Sequence, residues 1–159
     1  YVSDRSGGEG VWIARADGSR ARRIGGQDDD TSLSSPEWSA DGKYVYVSRY
    51  RIRLDRYELW RHPVDGGPGE LIAPAKLRED APRGAWQSTL GASASRDGKY
   101  LYYARRTGDL SFDEPVPWTI VRRDLASGAE GVVIGDSGGR EAWHAGHGLL
   151  RAAEWCLLG

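Results

Sequence analysis

One stretch of this chain occurs twice, and that repetition constrains the fold more than anything else in the sequence. Pro36-Glu37-Trp38-Ser39-Ala40-Asp41-Gly42-Lys43-Tyr44-Val45-Tyr46-Val47-Ser48-Arg49 is echoed by Ala94-Ser95-Arg96-Asp97-Gly98-Lys99-Tyr100-Leu101-Tyr102-Tyr103-Ala104-Arg105. Both read S-x-D-G-K-Y, then an aliphatic residue, Tyr, an aliphatic or aromatic residue, a small residue and Arg. Self-similarity of this kind marks a structural unit that buries its apolar faces against copies of itself. The Asp-Gly pair lies between two extended runs, and its Gly supplies the positive φ that a tight hairpin turn needs. The run after the turn is apolar at nearly every position, the pattern of a strand buried on both faces.

A second hairpin follows each time. Gly10–Ser19 and Glu58–Gly67 each place a Trp (Trp12, Trp60) five residues before an Asp-Gly pair. In Trp118–Gly128 the Trp register drifts and Ser127-Gly128 makes the turn. Short outgoing strands are expected at Ala21–Ile24, Glu70–Ile72 and Gly131–Ile134. The unit is therefore four antiparallel strands, which is one blade of a β-propeller. The expected fold class is all-β, a partial β-propeller of about three four-stranded blades at 1–24, 35–73 and 92–134. The first blade lacks its opening strand. Lys76–Leu90, polar with Pro and Gly, and Thr107–Pro117, acidic with two prolines, are expected as inserted loops.

Residues 135–159 form an atypical tail in which the repeat does not continue. Leu150, Ala153, Glu154 and Leu157 fall at helical spacing, which suggests a short helix at 148–158. A shifted reading frame would explain the tail, and translating the source DNA in the other two frames tests that. The chain contains no Met and opens within an apparent strand, so the expectation is a piece of a longer protein.

Composition excludes several classes. Charged residues make up 28% of the 159, yet the formal net charge is −1, which gives no overall field to draw nucleic acid or an anionic membrane. No run of about 18 apolar residues is present to span a bilayer. The single cysteine, Cys156, has no partner for an internal disulfide. Among Leu neighbours it reads as a small apolar residue.

Ser3-Asp4-Arg5-Ser6-Gly7-Gly8, Val11-Trp12-Ile13 and Asp17-Gly18 resemble the S-D-R-x-G…W…D-G signature of TolB-like (WD-repeat-like) β-propeller repeats. Pro36–Lys43 resembles its P-x-W-S-P-D-G-K partner, with Ala40 where Pro is commonest. The resemblance covers about residues 1–134 and implies a propeller of six or seven blades when complete. Such propellers form the bacterial periplasmic TolB protein, and they precede catalytic domains in secreted amidohydrolases and prolyl-oligopeptidase-like peptidases. The long inserts and Pro115–Arg123 look most like the amidohydrolase-linked version. A periplasmic or secreted location is likewise implied by the resemblance alone.

Each chemically suggestive group has a plainer reading. Glu141, His144 and His147 recur every three residues, but Gly146 and Gly148 weaken any helix that would gather them on a metal. They read as a solvated loop. His62, next to Pro63 in a strand, reads as structural or as a surface residue. Asp28-Asp29-Asp30 offers hard oxygen ligands but reads as a flexible acidic loop. Ser137-Gly138 has no base or acid partner, and no phosphate loop, nucleophile elbow or H-E-x-x-H is present. The Arg49, Tyr50, Arg51, Arg53 and Arg56 stretch interleaves Arg with Tyr as nucleic-acid binders do, but Asp55 and Glu58 dilute it, and it reads as a solvated hairpin. Trp12, Trp38, Trp60, Tyr44, Tyr46, Tyr100 and Tyr102 recur at repeat positions and read as packing between blades. Trp86 and Trp118 lie in or beside the inserts, where exposed aromatics make contacts.

No catalytic, cofactor or metal residue is assigned, and the chain itself is not expected to be an enzyme. The expected function is a non-catalytic scaffold that binds a protein or ligand through loops. The partner is another protein or the rest of the parent polypeptide, not nucleic acid. Self-association of uncovered end blades is a further expectation. The alternative is the propeller part of a larger secreted hydrolase, an amidohydrolase or prolyl-oligopeptidase-like peptidase, with catalytic residues outside this chain.

Overall fold

The computed structural model describes residues 1–26, 30–54, 56–74, 76–77, 86–108 and 118–135. The tail expectation, with its helix and with Ser137, Glu141, His144, His147 and Cys156, lies outside the described residues, as do Asp28 and Asp29.

Twelve strands run in chain order among the described residues. They are β1 (Val2–Ser3), β2 (Gly10–Ile13), β3 (Arg22–Gly25), β4 (Thr31–Trp38), β5 (Tyr44–Arg51) and β6 (Arg56–Pro63). Then come β7 (Glu70–Ala73), β8 (Lys76–Leu77), β9 (Trp86–Ala94), β10 (Tyr100–Gly108), β11 (Trp118–Asp124) and β12 (Glu130–Ile134). They form three antiparallel sheets, β1-β2-β3, β4-β5-β6-β7 and β8-β9-β10-β11-β12. The molecule is all-β with a propeller-like arrangement, as the repeats led us to expect.

Two expectations about the inserts need correction. Lys76–Leu77 and Trp86–Leu90 are strand rather than loop, and Thr107 and Gly108 complete β10. Pro82 and Gly84 account for the loop-like composition, but the Trp-Gln-Ser-Thr-Leu that follows can take extended backbone. There Thr89 pairs with Arg105 and its side chain is buried.

The S-x-D-G-K-Y motif has a direct physical account. Ser39 Oγ donates to Asp41 Oδ1 at 2.7 Å and accepts from Tyr44 N at 2.9 Å. Asp41 Oδ1 also accepts from Lys43 N at 3.1 Å. Ser95, Asp97, Lys99 and Tyr100 repeat the three bonds at 2.7, 2.9 and 3.1 Å. The side chains thus satisfy turn donors that no ladder reaches. The serine hydroxyl first, then the Lys amide, lowers the pKa of each Asp. Gly42 and Gly98 sit at φ 69° and 70°, where other residues are strained.

The middle sheet is covered on both faces. Val45 and Val47 of β5 pack with Val11, Ile24 and Leu33 in the core shared with the first sheet. Tyr46 points the other way and packs with Leu59, Leu101, Tyr103 and Val121 in the core shared with the third. This is why Tyr44–Ser48 carries no polar alternation. Ser48, also buried, is part of the same contact: its Oγ accepts from Gly91 N across the sheets at 2.8 Å.

Gly91 marks a bulge where β9 slips against β10, and β4 slips against β5 at the equivalent place. The bulge residue in β4 is Ser35, at φ 51°. A non-glycine residue pays roughly 1–2 kcal/mol in that region. Ser35→Gly should therefore raise stability by up to about 1 kcal/mol, after the loss of unfolded-state restriction is subtracted. A urea midpoint that falls instead would show that the Ser35 side chain matters more than its backbone.

Candidate functional site

The polar groups singled out in the sequence are mostly engaged inside the sheets. Arg49 lies over the Trp60 ring, 4.9 Å from its centre. The Tyr50 and Tyr57 rings lie 4.9 Å apart, tilted by 42°, Arg51 pairs with Glu58 at 3.8 Å, and Arg53 pairs with Asp30 at 3.1 Å. Arg56 is buried. Arg49, Tyr50, Arg51 and Arg56 thus sit in the strands of a hairpin, while Arg53 at its tip is exposed to solvent. No group of three metal-ligating side chains comes together among the described residues. No helix there is long and apolar enough to cross a membrane. Trp118 begins β11 with the Arg106 guanidinium 6.0 Å from its ring centre; the Trp86 side chain is outside the description.

A polar knot ties β10, β11 and β12 of the third sheet. Glu130 accepts from the Tyr103 hydroxyl, from Arg105 Nη2 at 2.6 Å and from Arg123 Nη1 at 2.9 Å. Burial, and then the hydrogen bond to Glu130, pushes the Tyr103 phenol well above its ordinary pKa. Burial alone would raise Glu130, but the Tyr103 and Arg105 hydrogen bonds outweigh it and hold its pKa low. These groups brace the sheet by joining three of its strands.

His62 is buried in β6, and its surroundings are unusual. It is 8% exposed, and its Nδ1 has no hydrogen-bond partner among the described residues. Gly25 of β3 and Gly69 make room for the ring, since a methyl built on either would overlap it. Burial, and then the Arg49 charge, lowers its pKa below the usual 6.5. The folded protein therefore keeps His62 neutral to lower pH than the unfolded chain, which takes up a proton as pH falls past about 6.5. The stability from neutral His62 is present above that pH and is lost as pH falls toward the depressed folded value. Urea midpoints at pH 7.5 and 5.5 should differ more for the wild type than for His62→Gln. Equal pH dependence in the two proteins would refute the assignment.

Among the described residues a pocket lies at the rim that carries the Asp-Gly turns, between the first and middle sheets. Tyr1, Trp12, Ile13, Ala14 and Arg15 line one side, and Pro36, Glu37, Trp38 and Val45 the other. Its volume is about 260 Å³. Whole small-molecule ligands take about 300–1,000 Å³, so this space suits one or two side chains. Trp12 is held from behind: the Arg5 guanidinium stacks 3.8 Å from its ring centre, and its Nε1 donates to Ser3 O at 3.3 Å. Trp38 ends β4 and is 49% exposed, so it is not the packing residue its repeat position suggested. The equivalent residue in β9 is Ala94, which packs against the core.

Beside the pocket runs the outer edge of β1. Tyr1 N donates to Trp12 O at 2.9 Å and Trp12 N to Tyr1 O at 2.8 Å. Tyr1 and Trp12 are thus a hydrogen-bonded antiparallel pair. In such a ladder the next residue, Val2, turns its N–H and C=O away from β2. Among the described residues no strand pairs with that edge. Sequence reasoning missed this site because it requires Trp12 and Trp38 to meet across two sheets; the only local signal was a Trp at the mouth of a turn.

No model of a known protein family matches the chain, and no curated protein matches it.

Proposed function

We propose that this chain is a non-catalytic binding scaffold and that the rim pocket between Trp12 and Trp38 is its contact site. The observation that carries this reading is Trp38. A large aromatic side chain stands half exposed at the mouth of a pocket whose opposite wall is Trp12, itself fixed by Arg5. Rigid aromatic anchors in a partly enclosed pocket are where contact energy concentrates. The stacked sheets hold the two walls at a fixed separation, and connecting segments at the rim are free to differ. The likeness of the repeats to TolB-like propellers supports the same reading, with a protein partner or the rest of a parent polypeptide as the bound species.

The test is a titration followed by the indole N–H resonances. Short peptides and small aromatic or aliphatic ligands should produce saturable shifts at Trp12 and Trp38, with Trp60 unchanged. Trp38→Ala should abolish the response and leave the fold intact, because the side chain is outside the core. No response to any ligand, or the same response in Trp38→Ala, would sink the proposal.

A further inference from the structure

We infer that Asp65-Gly66, in the turn between β6 and β7, is a site of spontaneous isoaspartate formation, and that the fold protects the other Asp-Gly pairs from the same modification. The sequence holds four such pairs, at Asp17, Asp41, Asp65 and Asp97. Glycine after Asp favours the reaction because no side chain obstructs ring closure. The Gly66 amide nitrogen attacks Asp65 Cγ. An N–Cγ bond forms, the nitrogen gives up its proton, and the carboxyl hydroxyl leaves as water. Water then opens the cyclic imide at one of its two carbonyls. Opening at Cγ restores Asp, whereas opening at the α-carbonyl leaves the main chain running through the side-chain carbons. Mass is unchanged, and water is the only co-reactant.

The attacking group is alike in all four turns. The amides of Gly18, Gly42, Gly66 and Gly98 each donate to the carbonyl three residues back, at 2.9, 3.0, 3.1 and 2.9 Å. The carboxyl groups differ. Asp41 and Asp97 each accept from a serine hydroxyl and a lysine amide, and Asp17 accepts from Ser19 N at 2.8 Å. Bonds of this kind pin the carboxylate and favour its ionised form. The Ser19, Ser39 and Ser95 side chains, and then the backbone amides, accordingly lower the pKa of the three acids. Cyclisation needs the opposite, a carboxyl group that can turn toward the amide and carry a proton, so that water can leave. Asp65 is exposed, and no group bonds its carboxylate among the described residues. Gly66 and Gly67 follow it, and a Cβ built on either meets no atom within 4 Å, so nothing crowds the ring. The turn also joins two sheets: Val64 N donates to Lys43 O at 2.8 Å, and Val64 O accepts from Arg22 Nη2 of β3. Isoaspartate adds one methylene to the main chain directly after Val64, at that junction.

The experiment ages the whole chain, warm and at neutral pH, in heavy-oxygen water, once folded and once in urea. Peptide mapping with electron-transfer fragmentation locates isoaspartate, and the heavy oxygen marks imides that reopened to Asp. In the folded chain Asp65 should convert at least about tenfold faster than Asp41 or Asp97, the factor expected when a charge-assisted hydrogen bond must break first. In urea the rates should converge. Ser39→Ala should speed conversion at Asp41 and leave Asp97 as it was. Equal rates at Asp65, Asp41 and Asp97 in the folded chain overturn the inference. A preference for Asp65 that persists unchanged in urea overturns it too, because local sequence would then explain it. A folded Ser39→Ala with no faster conversion at Asp41 removes the protection argument and the inference with it. If Ser39→Ala does not fold, the comparison of folded with unfolded wild type decides alone.

Discussion

Leu101→Ala should destabilise the protein by about 2–5 kcal/mol, the largest effect of any single substitution considered. Leu101 is fully buried in β10 and packs in the core between the middle and third sheets, with Tyr46, Leu59 and Tyr103. Those neighbours are fixed by ladders on their own strands, so the walls collapse poorly onto the space left behind. Total stability of a domain is about 5–15 kcal/mol, so this loss is a sizeable share of the whole. Urea unfolding measures it directly. Leu71→Ala provides the comparison: Leu71 is 40% exposed, and surface changes of this kind fall within about 0.5 kcal/mol. If the two variants lost similar stability, the middle and third sheets would not share a packed core.

Ser48→Ala should follow, at about 1–3 kcal/mol, through a different mechanism. The substitution removes one oxygen and creates almost no cavity. It strands the Gly91 N–H, which sits in a buried bulge and reaches Ser48 across the gap between sheets. A buried donor without an acceptor loses the solvation it had in the unfolded chain and receives nothing in return. The Gly91 amide should also exchange with solvent faster than its ladder-bonded neighbours. An unchanged midpoint together with unchanged exchange at Gly91 would mean that the hydroxyl is dispensable.

The sequence made the middle of each repeat legible and left the margins obscure. Tyr44–Ser48 announced a doubly buried strand because neither face needed polar side chains, and Val45, Tyr46, Val47 and Ser48 are indeed all buried. Ser39, Asp41 and Lys43 announced the turn because the bonds that make it are local. The bulge at Ser35 carried no such sign; only the pairing with β5 demands the extra residue. Pro82 and Gly84 give the segment before β9 a loop-like composition, whereas the strand state of Trp86–Leu90 depends on its pairing with β10. The pocket was the least legible of all. Trp12 and Trp38 each resemble packing residues within their own repeat, and the space between them forms only where the first and middle sheets meet.

The order of strand pairing has an evolutionary consequence. Every described strand bonds only with strands next to it in the chain, within 2–25, 31–73 or 76–134. No described ladder crosses from one of these units to another, so sheets meet only through side chains and a few bonds such as Ser48 to Gly91. Duplicating or deleting one unit at the segments between them would break no ladder. A lineage of such chains can therefore change its number of sheets in single steps. Each step has only to match one new face of side chains to an old one.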